Sequence, residues 1–318
     1  MNILIFGAAG FIGTNLTIEL AKNSNNNITL VDKKIEFFPK IEVFNYSNIK
    51  IETANFDLDT DFERLLYGQD VVFHLVSTTV PTTANQRIAE ELTSNVVVTA
   101  KMLDACVKCQ VNRVVFMSSG GTVYGRNNQC PLKESMNTRP ISSYGIQKDT
   151  IEKLLYLYNY MHNLDYRVIR LANPYGPYQR PNGVQGAVTT FTYKAMKNEK
   201  IVVYGDGSVI RDFIYIEDAI KAICQIAFSE DGYKTYNVGS GYGTSIKDVL
   251  ETIQHTLNLK VDVEYKPGRM VDVPVNYLDI SRYESVFGKI TMLTLDEGIV
   301  KTAEFMKRNL LEECKGNE

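Results

Sequence analysis

Asn2–Gly13 reads N-I-L-I-F-G-A-A-G-F-I-G, and Ile28–Asp32 reads I-T-L-V-D. The first run is apolar enough for a buried strand and leads directly into three spaced glycines, Gly7, Gly10 and Gly13. A helical pattern continues to Lys22, and the second apolar run ends on an acid. The order is strand, turn, helix, strand. Glycines at such a turn permit a tight bend and close backbone approach, and the helix N-terminus favours a pyrophosphate. Asp32 follows Gly13 by 19 residues, the place for a carboxylate that accepts from an adenosine ribose.

Outward from that unit the alternation continues. Lys50–Phe56, Val71–Leu75, Arg113–Ser118 and Tyr166–Leu171 read as strands, and Asp59–Tyr67, Ala89–Lys108 and Tyr144–Met161 as helices. Strands alternating with helices predict a Rossmann-type, doubly wound parallel sheet covered on both faces. Gly7, Asp32, Asp57, Leu75 and Ser118 then fall at strand ends along one edge, where ligands of such sheets bind. Past Arg170 the character changes. Pro174, Gly176, Pro177, Pro181, Gly183 and Gly186 crowd a loop, and shorter elements follow, from Ala187–Lys197 to a last helix over Asp296–Asn309. The expected division is a dinucleotide-binding domain of residues 1–172, joined by 213–240, and a smaller α/β lobe of 173–212 and 241–318.

A hydroxyl-rich turn, M-S-S-G-G-T-V-Y-G over Met117–Gly125, precedes Y-G-I-Q-K over Tyr144–Lys148. Residues four apart on a helix share a face, so Tyr144 and Lys148 point into one site. A phenol with an ordinary pKa near ~10 is a poor base at neutral pH, and an adjacent ammonium favours its phenolate. The pair is a candidate proton-transfer catalyst.

Composition narrows the classes. A formal charge of -3 gives no electrostatic case for nucleic acid or an anionic membrane, so any anionic ligand needs local groups. No apolar run approaches the ~18–20 residues of a membrane span, and Asn2–Phe6 is too short for the core of a signal peptide. Cys106, Cys109, Cys130, Cys224 and Cys314 are odd in number, and His74, His162 and His255 lack ligand spacing. The expectation is a cytoplasmic protein with neither a disulfide framework nor a metal site.

These residues together resemble the extended short-chain dehydrogenase/reductases that act on nucleotide sugars, and most of all the UDP-hexose 4-epimerases. The resemblance also rests on Phe56-Asp-Leu58, His74-Leu75, Asn95 in S-N-V-V-V-T, and R-L-A-N-P-Y-G-P from Arg170 to Pro177. It continues through Y-G-D-G-S-V-I-R-D-F-I-Y from Tyr204 to Tyr215 and P-G-R-M-V-D-V-P from Pro267 to Pro274. It implies that Gly7, Gly10, Phe11, Ile12 and Gly13 cradle the pyrophosphate of NAD and that Asp32 holds the adenosine ribose. Asp57 and Leu58 would border the adenine, Leu75 and Asn95 lie along the cofactor, and Lys148 bond the nicotinamide ribose. Asn173, Arg211, Arg269 and Asp272 match positions that hold the nucleotide diphosphate and its ribose, and arginine forks suit a diphosphate on chemical grounds too. An acid at Asp32 favours NAD over NADP by repelling a 2′-phosphate, although Lys33 and Lys34 follow at once.

One departure stands out. The family places its catalytic Ser or Thr where this chain has Gly120, so the bridging hydroxyl must come from Thr122, Ser119 or water. The dehydratases of the family carry an Asp-Glu pair where this chain has Gly121 and Thr122, which disfavours elimination. The resemblance implies 4-epimerisation of a UDP-hexose through a transient 4-keto sugar. Alternatives are UDP-glucuronate 4-epimerisation, 4-ketosugar reduction, dehydration, or a non-catalytic NAD sensor on the same fold. In bacterial relatives restricted to plain hexoses a Tyr narrows the pocket at the position of Asn276, so N-acetylated sugars are expected to fit here. The family pairs the helices corresponding to Ala89–Lys108 and Tyr144–Met161 across a homodimer.

Overall fold

Ile3, Leu4 and Ile5 have no exposed surface, as a strand covered on both faces requires. They belong to strand β1 (Asn2–Phe6) in a computed structural model that describes residues 1–79, 81, 84–126, 128–181, 186–268, 273–289 and 292–311. The chain proceeds through α1 (Phe11–Leu20), β2 (Asn27–Asp32), β3 (Ile49–Thr53), α2 (Phe62–Leu66) and β4 (Val71–His74). It goes on with α3 (Ile88–Leu92), α4 (Val98–Lys108), β5 (Arg113–Ser119), α5 (Ser143–His162) and β6 (Asp165–Leu171). Next come β7 (Asn173–Tyr175), α6 (Ala187–Met196), β8 (Ile201–Tyr204), β9 (Ile210–Arg211), β10 (Phe213–Tyr215) and α7 (Ile216–Phe228). The rest is β11 (Thr235–Val238), β12 (Thr244–Ser245), α8 (Ile246–Leu257), β13 (Val263–Lys266), β14 (Val275–Asn276), α9 (Ser281–Phe287) and α10 (Leu295–Met306).

The chain forms two compact units. The first comprises Met1–Asn127, Asn137–Arg170 and Ile220–Tyr236. It is built on a seven-stranded sheet in the order β11-β6-β5-β4-β1-β2-β3, with β1 pairing parallel to both β2 and β4, β2 to β3, and β4 to β5. The strand order reverses between β1 and β4, the switch point at which doubly wound sheets open a crevice. The fold is thus the Rossmann-type α/β architecture. A core of Leu4, Phe6, Phe62, Val72, Met102, Val114, Phe116 and Ile151 packs under the helices.

Two elements depart from their sequence reading. The segment Asp59–Tyr67 shortens to α2 because Asp57 and Thr60 close a turn, with Thr60 Oγ1 donating to Asp57 Oδ1 at 2.9 Å, and Asp61 then caps the helix through Arg64 N. The helix expected over Ala89–Lys108 is broken by one π-turn, Thr93–Val97, between α3 and α4. Such turns insert an extra residue into the helical ladder.

The second unit comprises Asn128–Met136, Leu171–Ala219 and Asn237–Glu318. Its strands form small sheets: β10 with β7, β13 with β8, and β12-β9-β14. Tyr175, Val188, Val249, Ile253 and Ile299 make its core. Helices α8 and α10 both start with a capping box, Ser245 with Asp248 and Thr294 with Glu297, which fixes where each begins. Among the described residues no helix is long and apolar enough to cross a membrane.

Candidate active site

The glycine loop follows β1. Gly7 has φ +81°, a conformation that L side chains rarely adopt, and a Cβ there would meet Val76 N at 3.2 Å and the Leu75 carbonyl carbon at 3.3 Å. This lets the loop after β1 lie against the loop after β4. At Gly13 a Cβ would stand 2.5 Å from Gly7 O and 2.7 Å from Ala8 Cα, so the first turn of α1 can close on the loop only without one. Gly10 caps α1 with no side-chain hydrogen bond, and the first turn, Phe11 to Gly13, holds no acid. Its amides therefore suit an anion. Asp32 Oδ2 accepts from Ala9 N at 3.0 Å, which fixes the acid at the end of β2 beside the loop. These residues fit a dinucleotide: a cradle where side chains are excluded, an uncapped helix start and an anchored carboxylate.

Farther along the same sheet edge, Asp57 is engaged in its own turn and Leu58 is 46% exposed. Lys101 donates to the carbonyl oxygens of Leu58 and Thr60 and so pins that loop to α4. Leu75 is half-buried. The Asn95 side chain is spent on the loop after β4: Oδ1 accepts from Thr78 N at 2.9 Å, while Nδ2 donates to Thr78 Oγ1 and to Glu91 O. It lies within the π-turn and is 5% exposed.

Helix α5 carries Tyr144 and Lys148. Its start is determined by Ser142, whose side chain accepts from Gly145 N, and its end by Asn163 at φ 56°. Its buried face includes Ser143, Gln147, Lys148 and Glu152, polar groups that each need a partner in the interior. Lys148 is 5% exposed. Its Nζ donates to Met117 O at 2.8 Å and lies 4.7 Å from the Phe116 ring centre and 5.7 Å from that of Tyr144. Burial lowers the Lys148 ammonium to about 8, against the opposing charge of Glu152. Tyr144 is half-buried, and desolvation pushes its phenol up to about 12, opposed by a hydrogen bond from Ser119.

The two candidate hydroxyls, Ser119 at the end of β5 and Thr122 after it, are placed differently. Ser119 engages Tyr144. Thr122 Oγ1 is buried with no hydrogen-bond partner among the described residues. Behind them, His74 at the end of β4 is held neutral: burial, with the Lys148 charge second, lowers it to about 3. Its Nε2 lies 2.9 Å from Thr99 Oγ1, and Thr99 donates to Asn95 O, so the imidazole must donate through Nε2.

Sequence reasoning passed over the groups that hold α5 in place. Glu91, 7% exposed, accepts from the Ser143 hydroxyl and from Gln147 Nε2 and Arg87 N, and the Ser143 bond in particular holds its carboxyl below the ordinary range. Asn85 Oδ1 accepts from Ser143 N at 2.7 Å. The first turn of the helix bearing Tyr144 is thus tied to α3. These pairings span more than fifty residues of chain, and no local pattern announces them.

In the second unit, Arg211 and Asn276 come together. They are register partners in the parallel pairing of β14 with β9. Arg211 Nη1 donates to Ile210 O at 2.8 Å and Val273 O at 2.6 Å, and Asn276 is 2% exposed. Asn173 Nδ2 donates to Asp212 O at 2.8 Å. Asp212 is itself fully buried and accepts from Ser240 N, Ser240 Oγ, Gly241 N and Leu278 N, which anchors the strand next to Arg211. Arg269 and Asp272 lie outside the described residues.

A model of the NAD dependent epimerase/dehydratase family matches residues 3–239. The chain belongs to that family. It is 32% identical over 310 residues to the UDP-glucose 4-epimerase of Mycolicibacterium smegmatis, with 96% of this chain and 99% of that protein covered. A solved UDP-glucose 4-epimerase from Thermotoga maritima, with UDP-glucose, superposes at a TM-score of 0.89 and 28% identity, over 98% of this chain and 100% of the other. A UDP-N-acetylglucosamine 4-epimerase from Methanobrevibacter ruminantium M1, in complex with UDP-N-acetylmuramic acid, gives a TM-score of 0.88 and 30% identity over 97% and 99%. This epimerase/dehydratase-family chain is an NAD-dependent enzyme, and the glycine cradle with Asp32 is the part of it that fits the cofactor.

Proposed function

We propose that the enzyme interconverts the 4′-epimers of a UDP-hexose, UDP-glucose and UDP-N-acetylglucosamine both being substrates. The observation that carries this is the grouping of Tyr144, Lys148 and the Ser119 hydroxyl at the end of β5 in the unit that bears the glycine cradle. Support comes from relatives named 4-epimerases of both sugars. NAD, held by the Gly7–Gly13 cradle and Asp32, would supply the hydride acceptor and donor for C4′. Tyr144, as phenolate, takes the 4′-hydroxyl proton, with Ser119 bridging the two oxygens. The Lys148 ammonium stabilises that phenolate through its charge and holds the cofactor ribose. The 4-keto sugar then turns about its diphosphate linkage, and Tyr144 gives the proton back to the oxygen on the newly presented face.

In this reading the first unit binds NAD and the second holds the nucleotide, through Asn173, Arg211, Arg269 and Asp272. Gly121 and Thr122 offer no acid for elimination, which favours epimerisation over dehydration. Leu157, Tyr156, Tyr160 and Met161 on α5 are 44%, 62%, 77% and 60% exposed, an apolar face that a second copy of the chain would cover in a homodimer. A cytoplasmic location fits this chemistry. Proton NMR of the anomeric region, with catalytic NAD and either UDP-sugar, tests the reaction. The galacto epimer is expected in both tubes, and Tyr144→Phe should slow its appearance by about 10²–10⁴-fold. No epimer from either sugar, with NAD bound, would reject the reading.

A further inference from the structure

The line of α5 that carries Tyr144 and Lys148 continues one turn further to Glu152, which is 9% exposed. Its carboxylate accepts from Arg170 Nη2 at 2.6 Å and from Arg170 Nε at 3.1 and 3.2 Å. The Ser118 hydroxyl also donates to it. Arg170, 7% exposed on β6, stacks 4.9 Å above the Tyr124 ring. Burial opposes the guanidinium charge, and the bonds and charge of Glu152 more than restore it. Ser118 adjoins Met117, whose carbonyl accepts from Lys148. One strand therefore grips both the ammonium and the carboxylate.

A buried ion pair of this kind contributes little net stability compared with apolar packing, so its retention here calls for another reason. The surroundings of Lys148 supply one. From β4 it meets the neutral His74, from β5 the Phe116 ring and the Met117 carbonyl, and from α5 the Tyr144 ring and Glu152, with Arg170 on β6 behind. Of these groups Glu152 alone is anionic.

We propose that Glu152 is the positioning residue that keeps Lys148 an ammonium in its buried place, and that Arg170 and Ser118 hold the Glu152 carboxylate rigid for that task. Glu152 does not touch the reacting atoms; it acts through Lys148. The inference deepens the role given to Lys148 above, but its test needs neither substrate nor NAD, so its failure would leave the proposed reaction standing.

The test is an NMR titration of the full chain labelled at lysine 13Cε and 15Nζ, with the Lys148 signal assigned by its loss in Lys148→Met. Glu152→Gln removes the anion and leaves the Arg170 cation, so the Lys148 midpoint should fall by at least about one pH unit, tenfold in its acid constant. If the lone guanidinium prevents folding, Glu152→Gln with Arg170→Met removes both charges. The midpoint should again fall, because Glu152 is the one anion among the described groups around Lys148, and its one-turn spacing on α5 sets it nearer than Arg170, which lies behind it on β6. A purely structural pair would lower the melting temperature and leave the midpoint where it is in the parent. An unchanged midpoint in either folded variant overturns the proposal.

Discussion

Ser119, the last residue of β5, hydrogen-bonds the Tyr144 hydroxyl, whereas Thr122, three residues on, has its Oγ1 buried without a partner among the described residues. The bond favours the phenolate, since burial alone raises the phenol. Ser119→Ala is expected to lower kcat by about 10²-fold with little change in NAD affinity. Thr122→Val should cost less than about 10-fold, because no hydrogen bond is lost. Rates of epimer formation, read by NMR for both variants, check this. The opposite ranking would assign the bridging hydroxyl to Thr122.

The pairing of Asn276 with Arg211 places a small amide beside a candidate diphosphate ligand. Asn276→Tyr should cut kcat/KM for UDP-N-acetylglucosamine at least about tenfold more than for UDP-glucose, the range a pocket contact can discriminate. Parallel assays of the two sugars decide it. Equal loss on both would show a packing defect, because at 2% exposure a larger ring also strains its surroundings.

His74 carries a pH dependence of stability. Its imidazole stays neutral in the fold down to about 3 but has an ordinary value of 6.5 when unfolded. Between these values the unfolded chain binds the extra proton, so stability is complete above 6.5 and is lost as the pH falls toward 3, by up to ~1.4 kcal/mol per unit. Asp165, drawn down to about 2 by Lys234 and Arg113 against its burial, adds acid sensitivity at the lower end. Denaturant midpoints of the parent and His74→Phe across this range should show a shallower slope in the variant. Identical slopes would mean that His74 is protonated in the folded state.

The Gly7–Gly13 loop and the Tyr144–Lys148 pair were legible because their demands are local. A positive φ, an excluded Cβ and a four-residue helical spacing are all written in consecutive residues. The parallel, doubly wound class of the sheet followed from the alternation of strands and helices, while the order of its strands came from the structure. What stayed hidden depends on distant partners. Glu91 and Asn85 meet Ser143 only after the sheet has formed, and Glu152 looks like one more charge on a helix until Arg170 closes on it. Which of two nearby hydroxyls faces Tyr144 is set by the path of the turn after β5, to which both residues contribute alike in composition.

The π-turn at Thr93–Val97 makes the rod from Ile88 to Lys108 two amphipathic stripes out of phase. One extra residue turns everything before it by about 100° relative to everything after, the angle of one step in a 3.6-residue helix. Glu91 and Asn95 can therefore serve α5 and the loop after β4 while Val98, Met102 and Cys106 serve the core. A single-residue deletion there would restore a regular α-helix and swing one stripe away from its partner. Length in this stretch is consequently as constrained as identity: substitutions on its outer face leave the phase intact, whereas a one-codon deletion would uncouple the Tyr144 helix from the core that carries it.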